Sequence, residues 1–122
     1  MSDNTNLSTT YVVNKTTKIV TLTLLIGASG QTGNSLVRLD DGSLNVEASG
    51  DLFDFEIGAN KDLGGKKLTI TTTISDTAKD HNHTELIIRL KGGAVFREYA
   101  LGKEVNENES AVYFCELNFF KF

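Results

Sequence analysis

The stretch Ser35-Leu36-Val37-Arg38-Leu39-Asp40-Asp41-Gly42-Ser43-Leu44-Asn45-Val46-Glu47-Ala48 decides the fold class. Asp41-Gly42 suits a two-residue type I′ turn, whose central positions both need positive φ. Folding the chain there sets Leu39 against Leu44, Val37 against Val46 and Ser35 against Ala48, with Arg38 against Asn45 on the other side. The apolar pairs share one face, so turn chemistry and hydrophobic pattern specify the same register. A one-residue slip would turn every one of those pairs to solvent.

The same period-two alternation runs outward in both directions, with no sustained helical period. Residues 18–26 place Val20, Leu22, Leu24 and Ile26 on one face and Thr21 and Thr23 on the other. Residues 66–75 alternate Leu68, Ile70 and Ile74 with Lys67, Thr69, Thr71 and Thr73. In 51–57, Phe53, Phe55 and Ile57 oppose Asp54 and Glu56, and in 84–91, Leu86, Ile88 and Leu90 oppose Ile87, Arg89 and Lys91. β-Branched and aromatic residues fit such half-buried pleated surfaces. Gly92-Gly93 marks a second hairpin with two open registers: a two-residue loop turns Val95, Arg97 and Tyr99 inward, and a three-residue loop turns Phe96 and Glu98 inward.

The last strand, 110–122, is apolar on both faces. Tyr113, Cys115, Leu117 and Phe119 lie on one side; Phe114, Phe120 and Phe122 lie on the other, with Glu116 and Asn118 between them. Such a strand is central and covered on both faces, or it contributes to an interface. The expectation is an all-β domain, an antiparallel β-sandwich or jelly roll of seven to nine short strands. Residues 11–122 form the single domain and 1–10, polar throughout except Met1 and Leu7, form a flexible N-terminal arm.

Composition bounds the function. A chain of 122 residues fits one domain. The net charge is −4 and the twelve Lys and Arg are scattered, which argues against nucleic acid and anionic membranes. The apolar stretch 22–26, with Thr23 inside it, is far too short to span a bilayer. Cys115 is the single cysteine, so no intrachain disulfide forms. With no basic segment and apolar core at the start of the chain, a cytoplasmic location is expected. Asn-x-Ser/Thr sequons at Asn6, Asn14, Asn82 and Asn108 are by-products of an Asn/Thr-rich composition.

Three motifs carry resemblances. Gly27-Ala28-Ser29-Gly30-Gln31-Thr32-Gly33 follows an apolar strand and resembles the G-x-x-G-x-x-G turn of atypical short-chain dehydrogenases, with Glu47 twenty residues after Gly27. That resemblance implies a nucleotide held at a helix opening near Gly33, whereas the hairpin pattern implies a glycine loop between strands. His81-Asn82-His83-Thr84-Glu85, running on to Gly92, is similar to the first motif of the cupin family, with one residue where that family has three or four. On a strand His81, His83 and Glu85 share a face, and two imidazoles and a carboxylate can ligate a divalent metal. The bland alternative is a polar turn entering a strand. Glu109-Ser110-Ala111-Val112-Tyr113-Phe114-Cys115 resembles strand F of an immunoglobulin variable domain, without the partner cysteine or the packing tryptophan.

The functional expectation is a non-catalytic binding or assembly module. It self-associates or binds a protein partner through the apolar C-terminal strand, at Phe114, Phe120 and Phe122. Two alternatives stand beside it. One is ligand recognition, with carbohydrate first, by the polar loops at 40–45 and 76–83. The other is a cupin-like metal enzyme using His81, His83 and Glu85.

Overall fold

A computed structural model of the chain describes residues 5–27, 31–76, 83–106 and 109–121. Among the described residues, nine strands form two sheets facing one another as a β-sandwich, and neither sheet closes into a barrel. The first sheet holds β1 (Asn6–Val13), β9 (Ser110–Lys121), β6 (Lys67–Asp76), β3 (Gln31–Leu39) and β4 (Asn45–Ser49), in that order across it. The second holds β5 (Leu52–Ala59), β2 (Ile19–Ile26), β7 (His83–Lys91) and β8 (Arg97–Glu104). A single turn of helix, α1 (Asn60–Leu63), connects β5 to β6.

Alternation fills the space between the sheets. Val20, Leu22 and Leu24 of β2 and Leu86, Ile88 and Leu90 of β7 meet Leu68, Ile70 and Ile74 of β6 and Tyr113, Cys115 and Leu117 of β9, all fully buried. Each such aliphatic side chain contributes about 1.5–3 kcal/mol by leaving water. The buried hydroxyls are paired: Ser35 with Thr72 at 2.8 Å, and Thr84 of β7 with Tyr113 of β9 at 2.5 Å, a hydrogen bond that crosses between the sheets. Burial without a partner would cost each hydroxyl about 1–3 kcal/mol.

The β3–β4 hairpin has the expected register, with Ser35 beside Ala48, Val37 beside Val46 and Arg38 beside Asn45. Its turn differs. Asp54 is the only non-glycine residue with positive φ among those described, so Asp41 is not in a type I′ turn. The Gly42 amide instead donates to the Leu39 carbonyl at 3.0 Å, and Gly42 alone takes positive φ, at 80°. Asp41 closes the loop with its carboxylate, accepting from the Ser43 amide at 2.9 Å and the Ser43 hydroxyl at 2.6 Å.

Three further readings are settled or corrected. The flexible arm is corrected over 6–10, which form the first part of β1 and pair with β9 in parallel, so the sheet is not wholly antiparallel. Leu7 packs against the core there, and Asn6 sits beside Phe114. In β5 the alternation breaks, because Phe53 and Asp54 together oppose Thr23: Leu22 pairs with Phe55 and Leu24 with Leu52. This bulge turns Phe53 outward, 68% exposed, and puts Leu52 and Phe55 against the core. The Gly92-Gly93 hairpin pairs Leu90 with Arg97 and Ile88 with Tyr99, so it has a longer loop than either register expected, with the side-chain parity of the two-residue one. Its loop is held by Tyr11, whose hydroxyl donates to the Val95 carbonyl at 2.6 Å and accepts from the Gly93 amide at 3.0 Å.

Candidate functional site

β9 is central, flanked by β1 and β6, so its backbone is bonded on both edges. Only its side chains remain to make contacts. Its odd-numbered residues enter the core. Its even-numbered ones stand on the outside of the sheet, where Val112 is 55% exposed, Phe114 39% and Phe120 57%. Of the sequence-derived interface set, Phe114 and Phe120 therefore lie on the outer face and Phe122 lies outside the described residues. Val112, which strand parity assigns to the same face, joins them. Large apolar side chains standing outward from the middle of a sheet are informative in a way that a single exposed leucine is not.

Register builds the rest of the face. Asn6, Phe114, Thr71, Leu36 and Glu47 form one row across all five strands. Ser8, Glu116, Thr69, Arg38 and Asn45 form the next. Between Phe114 and the β3–β4 hairpin the face dips into a cavity of about 440 Å³, lined by Leu36, Arg38, Thr69, Thr71 and Leu44. The hairpin wall is braced by Lys66, whose ammonium lies 2.7 Å from Asp41. Lys66 and the Ser43 hydrogen bonds hold the Asp41 carboxyl well below the usual carboxylate range. Lys67 and Glu116 pair at 3.3 Å within the face. The other charged strand residues of the face are Arg38 and Glu47, of opposite sign, and Asp40 adds a carboxylate to the cavity wall. The strand-borne charges of the described outer face therefore balance, on a chain whose net charge is −4.

The metal-ligating candidates sit at the far end of the other sheet. His83 and Glu85 share a face of β7, with Nε2 of the imidazole 3.8 Å from the Glu85 carboxylate. His81 lies outside the described residues. The β7–β8 register adds a residue the motif did not contain: Glu104, whose Oε1 is 3.1 Å from His83 Nδ1. Twenty-one positions separate that pair in sequence, so only strand pairing reveals it. Gly102 leaves room for the ring, since a Cβ there would stand 3.0 Å from His83 Cε1. All three side chains are about half exposed. Among the described residues no group of three or more His, Cys, Asp and Glu is arranged to hold a metal ion.

The glycine motif does not open a helix. Gly33 lies within β3, and a Cβ on it would meet Ile26 Cδ1 at 2.7 Å. Residues 28–30 of the motif lie outside the described set. In the polar loop at 40–45 both carboxylates serve the hairpin itself, Asp41 as above and Asp40 by accepting from the Lys67 amide at 3.1 Å. Most of the other polar loop, 77–82, is undescribed.

No family model, curated protein or solved structure matches this chain. Function is therefore argued from the side chains.

Cys115 offers no nucleophile. It is fully buried, and burial pushes its thiol pKa up to about 12. A thiol reagent is expected to leave folded protein unmodified over hours at neutral pH and to label it stoichiometrically in denaturant. Rapid native labelling would show that the Cys115 face of β9 is not packed against the other sheet. Among the described residues, no helix is long and apolar enough to cross a membrane.

Proposed function

We propose that this domain is a non-catalytic binding or assembly module. Its contact surface is the outer face of the five-stranded sheet, centred on Val112, Phe114 and Phe120, and the occupant is the same face of a second copy. The observation that carries this reading is the exposure of those three side chains on a central strand. Nothing in the fold requires them there, since the inner face of β9 supplies its core contacts.

Two physical arguments favour a second copy. A chain of net charge −4 repels its twin. This face lowers that cost because, on its strands, Lys67 and Arg38 balance Glu116 and Glu47. Its size also suits the role: five strands about 4.8 Å apart and about eight residues long cover roughly 24 by 27 Å. With side-chain relief, that approaches the ~800 Å² per partner of a standard interface.

Light scattering over a concentration series tests the reading. The parent protein is expected to populate a dimer. Phe114→Asp with Phe120→Asp is expected to weaken it at least about a hundredfold, because each charge would be desolvated in the contact. Both positions face solvent in the single chain, so the variant should remain folded. A parent protein that stays monomeric at millimolar concentration removes self-assembly. A dimer unaffected by the two substitutions moves the contact elsewhere.

A further inference from the structure

The two sheets expose four edge strands, and three of them are guarded against pairing. β5 carries two register shifts and the positive-φ Asp54. β8 carries Arg97, Glu98, Lys103 and Glu104. β4 is five residues long and carries Glu47. Bulges, charges and short length are the usual means of preventing edge-to-edge association. β1 has none of them. Its eight residues, Asn6 to Val13, contain no charge and no proline, and its register with β9 is unbroken.

The backbone of β1 is half used. The Thr5 carbonyl accepts from the Phe114 amide, so odd-numbered residues direct their backbone groups to β9. Even-numbered residues direct theirs the other way. The Val12 carbonyl is taken on that side by the Ala94 amide at 3.0 Å. Asn6, Ser8 and Thr10 remain, and among the described residues no backbone hydrogen bond reaches their outward N–H and C=O groups. Their side chains are exposed on the outer face.

We infer that β1 is a strand-addition edge whose occupant is β1 of a second copy, running antiparallel about a two-fold axis at Ser8. That register uses the open groups of Asn6, Ser8 and Thr10. Ser8 meets Ser8 of the second copy, and Asn6 and Thr10 meet in two equivalent pairs. Each pair exchanges two backbone bonds, roughly six in all. The facing side chains are hydroxyls and an amide, which pair across strands without charge repulsion. The result joins two five-stranded sheets into one. This contact uses the sheet edge, not the aromatic face, and stands whether or not the face-to-face reading does. With both contacts present, two different two-fold interfaces extend the assembly into an open chain of copies.

Nitroxide labelling at single introduced cysteines tests the edge, because the native Cys115 is buried and unreactive. Labels are placed separately at Asn6→Cys, Ser8→Cys and Thr10→Cys, in the parent and in the Phe114→Asp/Phe120→Asp background. The expected result is strongest dipolar broadening at position 8, where paired Cα atoms stand about 5.5 Å apart. Weaker and equal broadening is expected at 6 and 10, where like positions are about 14 Å apart along the strands. The pattern should persist when the aromatic face carries aspartates. Absence of broadening at all three positions overturns the edge, even if light scattering reports a dimer, and leaves the face reading standing. Broadening that vanishes in the aspartate background overturns it as well, assigning the contact to the face.

Discussion

Gly92→Ala is expected to destabilise the domain by about 3 kcal/mol or more, moving the urea midpoint down by about 2 M. Two effects add. Gly92 has a φ of 94°, a conformation that costs an L-residue about 1–2 kcal/mol. A Cβ there would also stand 2.1 Å from the carbonyl oxygen of Ile19. That obstacle is backbone at the start of β2, so no side-chain rotation relieves it. Gly42 supplies the control: its φ is 80°, and nothing lies within 4 Å of a Cβ placed on it. Gly42→Ala should therefore cost only the conformational part, about 1 kcal/mol. Equal losses at the two glycines would show that the close approach of the β7–β8 turn to β2 is not present in solution.

Asn60→Ala is expected to cost about 3–4 kcal/mol in the same measurement. Asn60 opens α1 and is completely buried, yet its side chain makes three hydrogen bonds to two segments, the 14–18 loop and the turn at Gly92. Its amide donates to the Lys18 carbonyl and to the Gly92 carbonyl, each at 2.8 Å, and its oxygen accepts from the Asn14 amide at 3.1 Å. Alanine strands the Gly92 carbonyl and the Asn14 N–H, each costing about 1–3 kcal/mol if left dry, with partial relief from water; the Lys18 carbonyl keeps the Asn60 backbone amide at 2.9 Å. Asn60→Asp retains the acceptor and aims a carboxylate at two carbonyls, so it should be no better than alanine. Because Asn60 and Gly92 share one hydrogen bond, the double variant should lose less than the sum of the two losses. Additive losses would mean that the corner does not act as a unit.

Much of the fold is legible in the sequence because alternation is a local signal. Leu68-Thr69-Ile70 or Ile88-Arg89-Leu90 states its inward face without reference to any other strand. The hairpin at 41–42 is legible for the same reason, since apolar pairs around a turn fix the register even though the turn chemistry proved different. What stayed hidden depends on partners distant in the chain. The polar segment 6–10 reads as an arm until β9 supplies a strand to pair with. Phe53 reads as core until the two-against-one opposition to Thr23 reverses its side. Glu104 has no sequence relation to His83, and strand pairing alone brings it within 3.1 Å. At the candidate site, Phe114 and Phe120 are legible by parity. The charge balance across the strands of the face is not, because those charges come from β3, β4, β6 and β9 together.

The contact face itself is most directly tested by amide and methyl chemical shifts of the parent protein followed over a concentration series. The predicted result is concentration-dependent change clustered at Val112, Phe114, Phe120, Thr71 and Leu36, with the guarded strands β5 and β8 silent. Shifts that do not move with concentration, or that move on β5 and β8 while β9 stays still, would contradict the assignment of this face as the surface through which the domain associates.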